Sequence, residues 1–146
     1  MVGDVAPARH RVVTMTDYLE LEELLHIVNV AGLGPVRDLG LLASAVARPA
    51  TTLMGQDAYP TLELKAAALL HSIVCNLALF DGNKRLGWIT CIVFIGFNGA
   101  RVTMTEDEVF DLTMAVASGE LRDVPQIAAR LRTEPREASG ERTVPE

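Results

Sequence analysis

The sequence predicts an all-α fold, a compact bundle of about six helices with one short flap or hairpin. Apolar residues recur with helical spacing through most of the chain, signals that begin or end helices follow one another closely, and alternating strand patterns are almost absent. The 146 residues are enough for one domain with its own core. We therefore expect a single helical domain.

Composition excludes several classes of function. The chain has 13 Lys and Arg against 19 Asp and Glu, a net charge of −6, which argues against nucleic acid as a partner because such binding depends on basic residues. No apolar run approaches the ~18 to 20 residues that span a membrane, and no signal peptide is visible. Both cysteines, Cys75 and Cys91, lie in apolar helical patterns and are predicted to be reduced core residues. We expect a cytoplasmic protein without membrane contact.

The first half of the chain predicts two helices and a connection. Helical spacing of leucines indicates a first helix from about Asp17 to Val30, with Thr16 as a possible N-cap. A second helix is predicted to start at Asp38 and to end before Pro49. The stretch Pro49–Pro60 has no helical period and predicts an exposed connection or a short hairpin.

The second half predicts four more helices. The two most hydrophobic span residues 61 to about 79 and 83–97, with Asp-Gly between them. A capping box at Thr105 starts a helix over 106–117, and a last helix runs from Asp123 to near Arg132. The polar ends are predicted to be loosely held, as an N-terminus over residues 1–13 and a disordered tail over residues 133–146.

The loop between the two hydrophobic helices carries the chemistry. Its sequence, Asp81-Gly82-Asn83-Lys84-Arg85, stands at the N-terminus of a helix, where backbone N–H groups and the macrodipole favour phosphate. Gly82 allows close backbone approach, Lys84 and Arg85 add positive charge, and Asp81 could hold a divalent cation. This pattern predicts a magnesium-nucleotide site. The alternative is a surface Asp-Gly turn followed by two solvated basic residues.

The motifs resemble one family. Residues 66–85, the Phe-Asn-Gly at 97–99 and the Ala-Ser-Gly-Glu at 117–120 are similar to Fic/Doc proteins, specifically to the Doc-type toxin branch. That family carries the signature H-x-F-x-[DE]-[AG]-N-[KG]-R, and residues 81–85 meet its last five positions. The resemblance covers residues 14–132, and it implies a Fic/Doc domain over that range with Pro49–Pro60 as its flap.

The resemblance assigns a role to each residue of the loop. It implies that Asp81 binds Mg²⁺, that Gly82 and Asn83 form the backbone anion hole and steady the phosphate loop, and that Lys84 and Arg85 clamp the phosphates of ATP or another NTP. A Lys before the Arg goes with transfer of the γ-phosphate to a threonine of elongation factor Tu, whereas a Gly there goes with AMP transfer. The resemblance also implies an antitoxin as partner, because a self-inhibitory [ST]-x-x-x-E-[GN] motif is absent from the sequence.

One position departs from the signature in a way that matters. Leu77 stands where the family has its catalytic histidine, which takes the proton of the attacking hydroxyl. An aliphatic side chain cannot accept a proton, and losing a general base typically costs ~10² to 10⁴ in rate. Phosphoryl transfer relies mostly on positioning and charge, so weak activity could remain. We therefore expect an impaired catalyst.

Three functional hypotheses remain open from the sequence. The first is a Doc-like toxin, part of a toxin-antitoxin module, that phosphorylates a translation factor and is inactive or impaired because of Leu77. The second is a non-enzymatic relative that binds a nucleotide or a protein partner. The third is an enzyme that uses the phosphate site for other chemistry, such as AMP transfer or a small-molecule reaction. The intact loop favours recent or engineered loss of the histidine over long decay.

Overall fold

Helices dominate residues 15–136, the part of the chain that the computed structural model describes. The predicted helical bundle is confirmed, with two short antiparallel strand pairs added to it. In this part of the chain the helices are α1 (Leu21–Val30), α2 (Leu39–Ala47), α3 (Leu62–Asn76), α4 (Asn83–Phe97), α5 (Glu106–Ser118) and α6 (Val124–Arg130).

The start of α1 differs from the prediction. It begins at Leu21 rather than Asp17, and Glu20, not Thr16, is the N-cap residue. Residues 15–20 run without regular structure, and the Asp17 N–H donates to the side-chain oxygen of Asn98 over 2.8 Å. This contact with the C-terminal end of α4 keeps residue 17 outside α1. The spacing of nearby residues could not indicate it.

The centre of the molecule is formed by α3, which packs against α2, α4, α5 and α6. Gly87 lets α4 approach α3 closely, because a Cβ there would lie 2.6 Å from a methyl of Val74. Leu70, Ile73 and Leu86 are buried at this contact. The N-terminal end of α4, which carries the predicted site, is thus fixed against the most buried helix of the fold.

The predicted flap is a hairpin. After a 3₁₀ turn over Arg48–Ala50, β1 (Thr52–Leu53) pairs with β2 (Gln56–Asp57). Met54 and Gly55 between them have φ of 53° and 80°, the positive angles of a tight hairpin turn. Both strands are exposed on every side chain.

A second antiparallel strand pair corrects the boundary predicted for the tail. Strand β3 (Ala100–Val102) pairs with β4 (Thr133–Pro135), so the disordered tail does not begin at residue 133. The Arg136 N–H also donates to the Gly99 carbonyl over 2.8 Å. This pairing joins positions far apart in sequence, which is why polar composition alone misplaced it. The predictions for residues 1–13 and 137–146 fall outside the described residues.

The two cysteines differ in environment. Cys91 is buried, and burial raises the pKa of its thiol to about 12. Cys75 is exposed, so the prediction that it belongs to the core is wrong, while both thiols are free as expected. Among the described helices none combines the length and apolarity needed to cross a membrane.

Candidate functional site

The loop between α3 and α4 begins with Leu77. This residue is the C-cap of α3 and has a left-handed conformation, φ 56° and ψ 46°; the helix itself ends at residue 76, three residues earlier than predicted. Its side chain is 55% exposed, whereas Ala78 and Leu79, which follow it, are buried. A non-glycine residue in this conformation is strained and requires support from its surroundings. The residue at the signature's histidine position therefore lies on the surface, at a turn.

The connection between α1 and α2 supplies that support. The backbone N–H groups of Arg37 and Asp38 both donate to the Ala78 carbonyl, over 2.7 and 3.0 Å. The Phe80 N–H donates to the Pro35 carbonyl over 2.9 Å. The side chain of Arg37 adds a bond from its Nε to the Leu77 carbonyl over 2.8 Å. The loop is therefore paired along its length with a segment some forty residues earlier.

Gly82 is the N-cap residue of α4, with φ 96°. A Cβ at this position would lie 3.0 Å from a methyl of Leu33. Glycine is therefore required here by its positive φ and by the close approach of Leu33. The role in an anion hole that the family resemblance implies for Gly82 remains a prediction.

Asn83 fixes the backbone of the loop. Its side-chain oxygen accepts the Leu79 N–H over 3.0 Å, and its side-chain nitrogen donates to the Leu79 carbonyl over 2.9 Å. Leu79 is buried, and within residues 15–136 Asn83 is the only partner of its two backbone groups. One side chain thus ties the first turn of α4 back onto the loop that precedes it.

The N-terminus of α4 offers donors and positive charge. The first backbone hydrogen bond of the helix runs from the Leu86 N–H to the carbonyl of the N-cap Gly82. The N–H groups of residues 83–85 therefore have no partner within the described part of the chain. No acidic residue lies in the first turn, unlike the starts of α1, α3 and α5. Lys84 and Arg85 are exposed, and neither forms an ion pair with another described residue. These features favour an anion.

Asp81 is the acidic residue beside these donors. It is exposed, and its backbone carbonyl accepts the Gly34 N–H over 3.2 Å. No group of three potential ligands gathers around it or elsewhere in residues 15–136. A single carboxylate still suits Mg²⁺, which commonly keeps several waters and takes its other ligands from phosphates. Asp81 thus fits a metal that arrives with a nucleotide better than a resident one.

An apolar groove opens from the two basic residues. It has a volume of about 560 Å³ and lies between α4, α5 and β3. Phe110 on its rim is 62% exposed. Its lining comprises Lys84, Arg85, Trp88, Ile92, Val102, Met104, Glu106, Val109, Phe110, Thr113 and Met114.

The flap is anchored by two cations. The ammonium of Lys65, almost fully buried, donates to the Asp57 carboxylate over 3.0 Å and to the Tyr59 carbonyl over 2.5 Å. Arg48 donates to the Tyr59 hydroxyl over 2.9 Å and stacks on its ring at 5.4 Å. The hairpin tip is therefore free, while both of its ends are fixed on α3.

Neither of the two histidines in residues 15–136 replaces the missing one. His71 is half-buried, and its Nδ1 lies 3.0 Å from a guanidinium nitrogen of Arg48, which can only donate. Burial, reinforced by the charge of Arg48, lowers the pKa of this imidazole. His26 is exposed on α1, where it lines a separate groove with Glu22 and Phe97. His71 therefore has a structural role, since it contacts Arg48, which anchors the flap.

The fold and this loop define a class of helical protein in which a turn with basic residues and backbone donors precedes a buried helix. A model of the Fic/DOC family matches residues 10–95. Toxin Doc of Mycolicibacterium smegmatis is 46% identical over 121 residues, which cover 80% of this chain and 92% of that protein. The chain belongs to the Fic/DOC family, in its Doc-type branch.

Sequence reasoning missed several residues that shape the site. Arg37, Arg48 and Lys65 hold the loop and the flap, yet each stands in a stretch without a local motif. One signal was available for Lys65, since a lysine within an Ala- and Leu-rich helix is buried only when it is paired.

Proposed function

We propose that this chain is a Doc-like toxin scaffold that binds an NTP and Mg²⁺ and directs the γ-phosphoryl group to a hydroxyl of a translation factor such as elongation factor Tu. The observation that carries the proposal is the start of α4. There, N–H groups that have no partner among residues 15–136 lie with Lys84 and Arg85 at the signature positions of a family to which the chain belongs. A translation factor as target implies action in the cytoplasm.

Each residue of the loop has a part in the proposed reaction. Lys84, Arg85 and the backbone N–H groups at the start of α4 would hold the phosphates, and Asp81 would hold Mg²⁺. When bound, the nucleotide and its metal supply the phosphoryl group and neutralise its charge. Asn83 keeps the loop in shape through its two bonds to Leu79.

The proposed reaction is limited by the removal of the proton from the attacking hydroxyl. Leu77 stands at the exposed turn where a base is required, and its side chain accepts no proton. Transfer would move the phosphoryl group to the target oxygen and release NDP, while the hydroxyl proton passes to water. The rate is then ~10² to 10⁴ below that of an enzyme with a base.

The flap supplies the complementary part, a place for the target. Leu53 and Met54 are exposed at its tip, and the short strands leave backbone groups free to pair with an extended segment. Because Lys65 and Arg48 fix both ends of the flap, such a segment would be held in a constant position relative to α3.

A second candidate function, binding without catalysis, is favoured by Leu77 itself. The same groups that hold phosphate need no base to do so. In that case the chain acts by binding a nucleotide or a protein partner, without transferring a group.

A paired transfer assay separates the two candidates. The native chain and its Leu77→His variant are incubated with cell extract, Mg²⁺ and ATP labelled on the α- or the γ-phosphate. We expect the variant to move γ-label to a protein of the mass of elongation factor Tu, at least ~10²-fold faster than the native chain. Transfer of α-label would instead indicate AMP transfer. Label transfer by neither protein would favour the binding function.

We further propose that an antitoxin docks in the apolar groove beside the site. The groove presents aromatic and aliphatic side chains next to Lys84 and Arg85, which suits an amphipathic helix with acidic residues at the end facing α4. Such a helix would compete with the phosphates for the same two cations.

Trp88, the one tryptophan in the sequence, lines the groove and reports on its occupancy. The protein encoded by the adjacent gene is the probe. We expect it to shift the Trp88 emission and to lose binding to the Phe110→Asp variant, with Phe97→Asp in the other groove as the control. Equal binding to both variants would contradict this placement.

A further inference from the structure

The end of α3 is held by another part of the chain. Leu77 has left-handed angles, and neither its N–H nor that of Ala78 bonds back to the last helical turn in the part of the chain described. Helices that end in this conformation are commonly closed by such bonds, usually with glycine at the turn. The conformation of residue 77 is therefore set from outside the helix.

The donors that set it come from residues 37 and 38. The two backbone N–H groups that reach the Ala78 carbonyl would persist with any residue other than proline at these positions. The Leu77 carbonyl is different, because its partner is the Nε of the Arg37 side chain at 2.8 Å. The orientation of the peptide that follows residue 77 thus depends on one side chain.

We propose that Arg37 is a positioning residue for position 77. By holding the Leu77 carbonyl it fixes φ and ψ at this turn, and so the direction in which the side chain leaves the backbone. The inference rests on the proposed function, in which position 77 faces the attacking hydroxyl. Arg37 itself is not assigned any contact with nucleotide or target.

The geometry separates this role from nucleotide binding. The donors proposed for phosphate lie on α4, and Asn83 ties them to Leu79 independently of Arg37. Arg37 and Leu77 are both exposed, so loss of their bond leaves the core intact. Releasing the bond should misplace side chain 77 while the phosphate site stays in place. A displacement of about 1 Å at a reacting group can cost ~10² in rate.

The first test measures rates in the Leu77→His background, where position 77 again carries a base. Arg37→Gln should lower kcat about 10²-fold and leave KM for ATP within about twofold. Arg37→Lys should recover part of kcat, since its ammonium can also donate to the carbonyl. Arg122→Gln, at an exposed arginine outside the loop, is the control and should match the parent. An unchanged kcat in Arg37→Gln, or a change in KM alone, overturns the inference.

A second test needs no activity. In the native chain, NMR gives the carbonyl ¹³C shift and the backbone coupling of Leu77, both sensitive to its hydrogen bond and to φ. We expect both to change in Arg37→Gln and to stay constant in Arg122→Gln. Unchanged values in Arg37→Gln overturn the inference. An inactive Leu77→His parent would refute the proposed function alone, because this measurement still decides the role of Arg37.

Discussion

Asn83 offers the sharpest test of how the loop is built. Its side chain makes the two bonds to the backbone of Leu79, at 3.0 and 2.9 Å, and Leu79 is only 2% exposed. Asn83→Ala removes both partners and leaves a buried donor and a buried acceptor. Each such group costs ~1 to 3 kcal/mol, and partial access of water beside the half-buried Asn83 favours the lower part of that range. The expected loss in free energy of unfolding is about 2 to 4 kcal/mol.

Guanidinium and thermal unfolding followed by circular dichroism measure this loss. For a domain of this size the melting temperature should fall by roughly 4 to 16 °C. Asn83→Asp keeps the acceptor for the Leu79 N–H and should lose about half as much. Asn29→Ala, at an exposed asparagine, should change stability by less than about 0.5 kcal/mol. If Asn83→Ala proved as stable as Asn29→Ala, the claim that Asn83 holds the loop would be refuted.

Three further predictions follow from the core and the flap anchors. Burial and Arg48 lower the pKa of His71, so the unfolded chain binds the proton more readily and stability should fall as the pH drops below about 6.5. The melting temperature of His71→Gln should depend less on pH in that range than that of the native chain, and an equal dependence would contradict this reasoning. Lys65→Met removes the buried ammonium that holds β2, so limited proteolysis should cut the hairpin faster; an unchanged cleavage rate would speak against the anchor. Gly87→Ala places a Cβ 2.6 Å from a valine methyl of α3 and should destabilise by about 1 to 3 kcal/mol in chemical unfolding, a result that a neutral change would contradict.

What the sequence could predict was local. The bounds of α4 and the capping box of Thr105 and Glu108 were right, because the signals for both lie within a few residues. The site proposed at residues 81–85 rests on a signal of the same local kind, a short motif at a helix start, and it stays a prediction. The absence of a helical period over residues 49–60 predicted an exposed connection or a short hairpin, and the hairpin of β1 and β2 lies within that range.

What the sequence could not predict depends on contacts between distant residues. Strand β4 forms only because Ala100–Val102 lies alongside it. Helix α3 ends early because residues 37 and 38 donate hydrogen bonds to the carbonyls of Leu77 and Ala78. Gly82 was interpreted as an approach to phosphate, yet its neighbour in the fold is Leu33. Such pairings have no local periodicity or motif, so single-sequence patterns do not indicate them.

In the proposed function, the start of α4 holds nucleotide phosphates whether or not position 77 carries a base. Isothermal titration of the native chain with ATP and Mg²⁺ measures this binding. We expect saturable, Mg²⁺-dependent binding that Leu77→His changes by no more than about twofold. The double variant Lys84→Ala/Arg85→Ala should bind at least ~10-fold more weakly, because it loses hydrogen bonds to a charged group. Absence of binding by the native chain, or equal binding by the double variant, would refute a phosphate site at the start of α4.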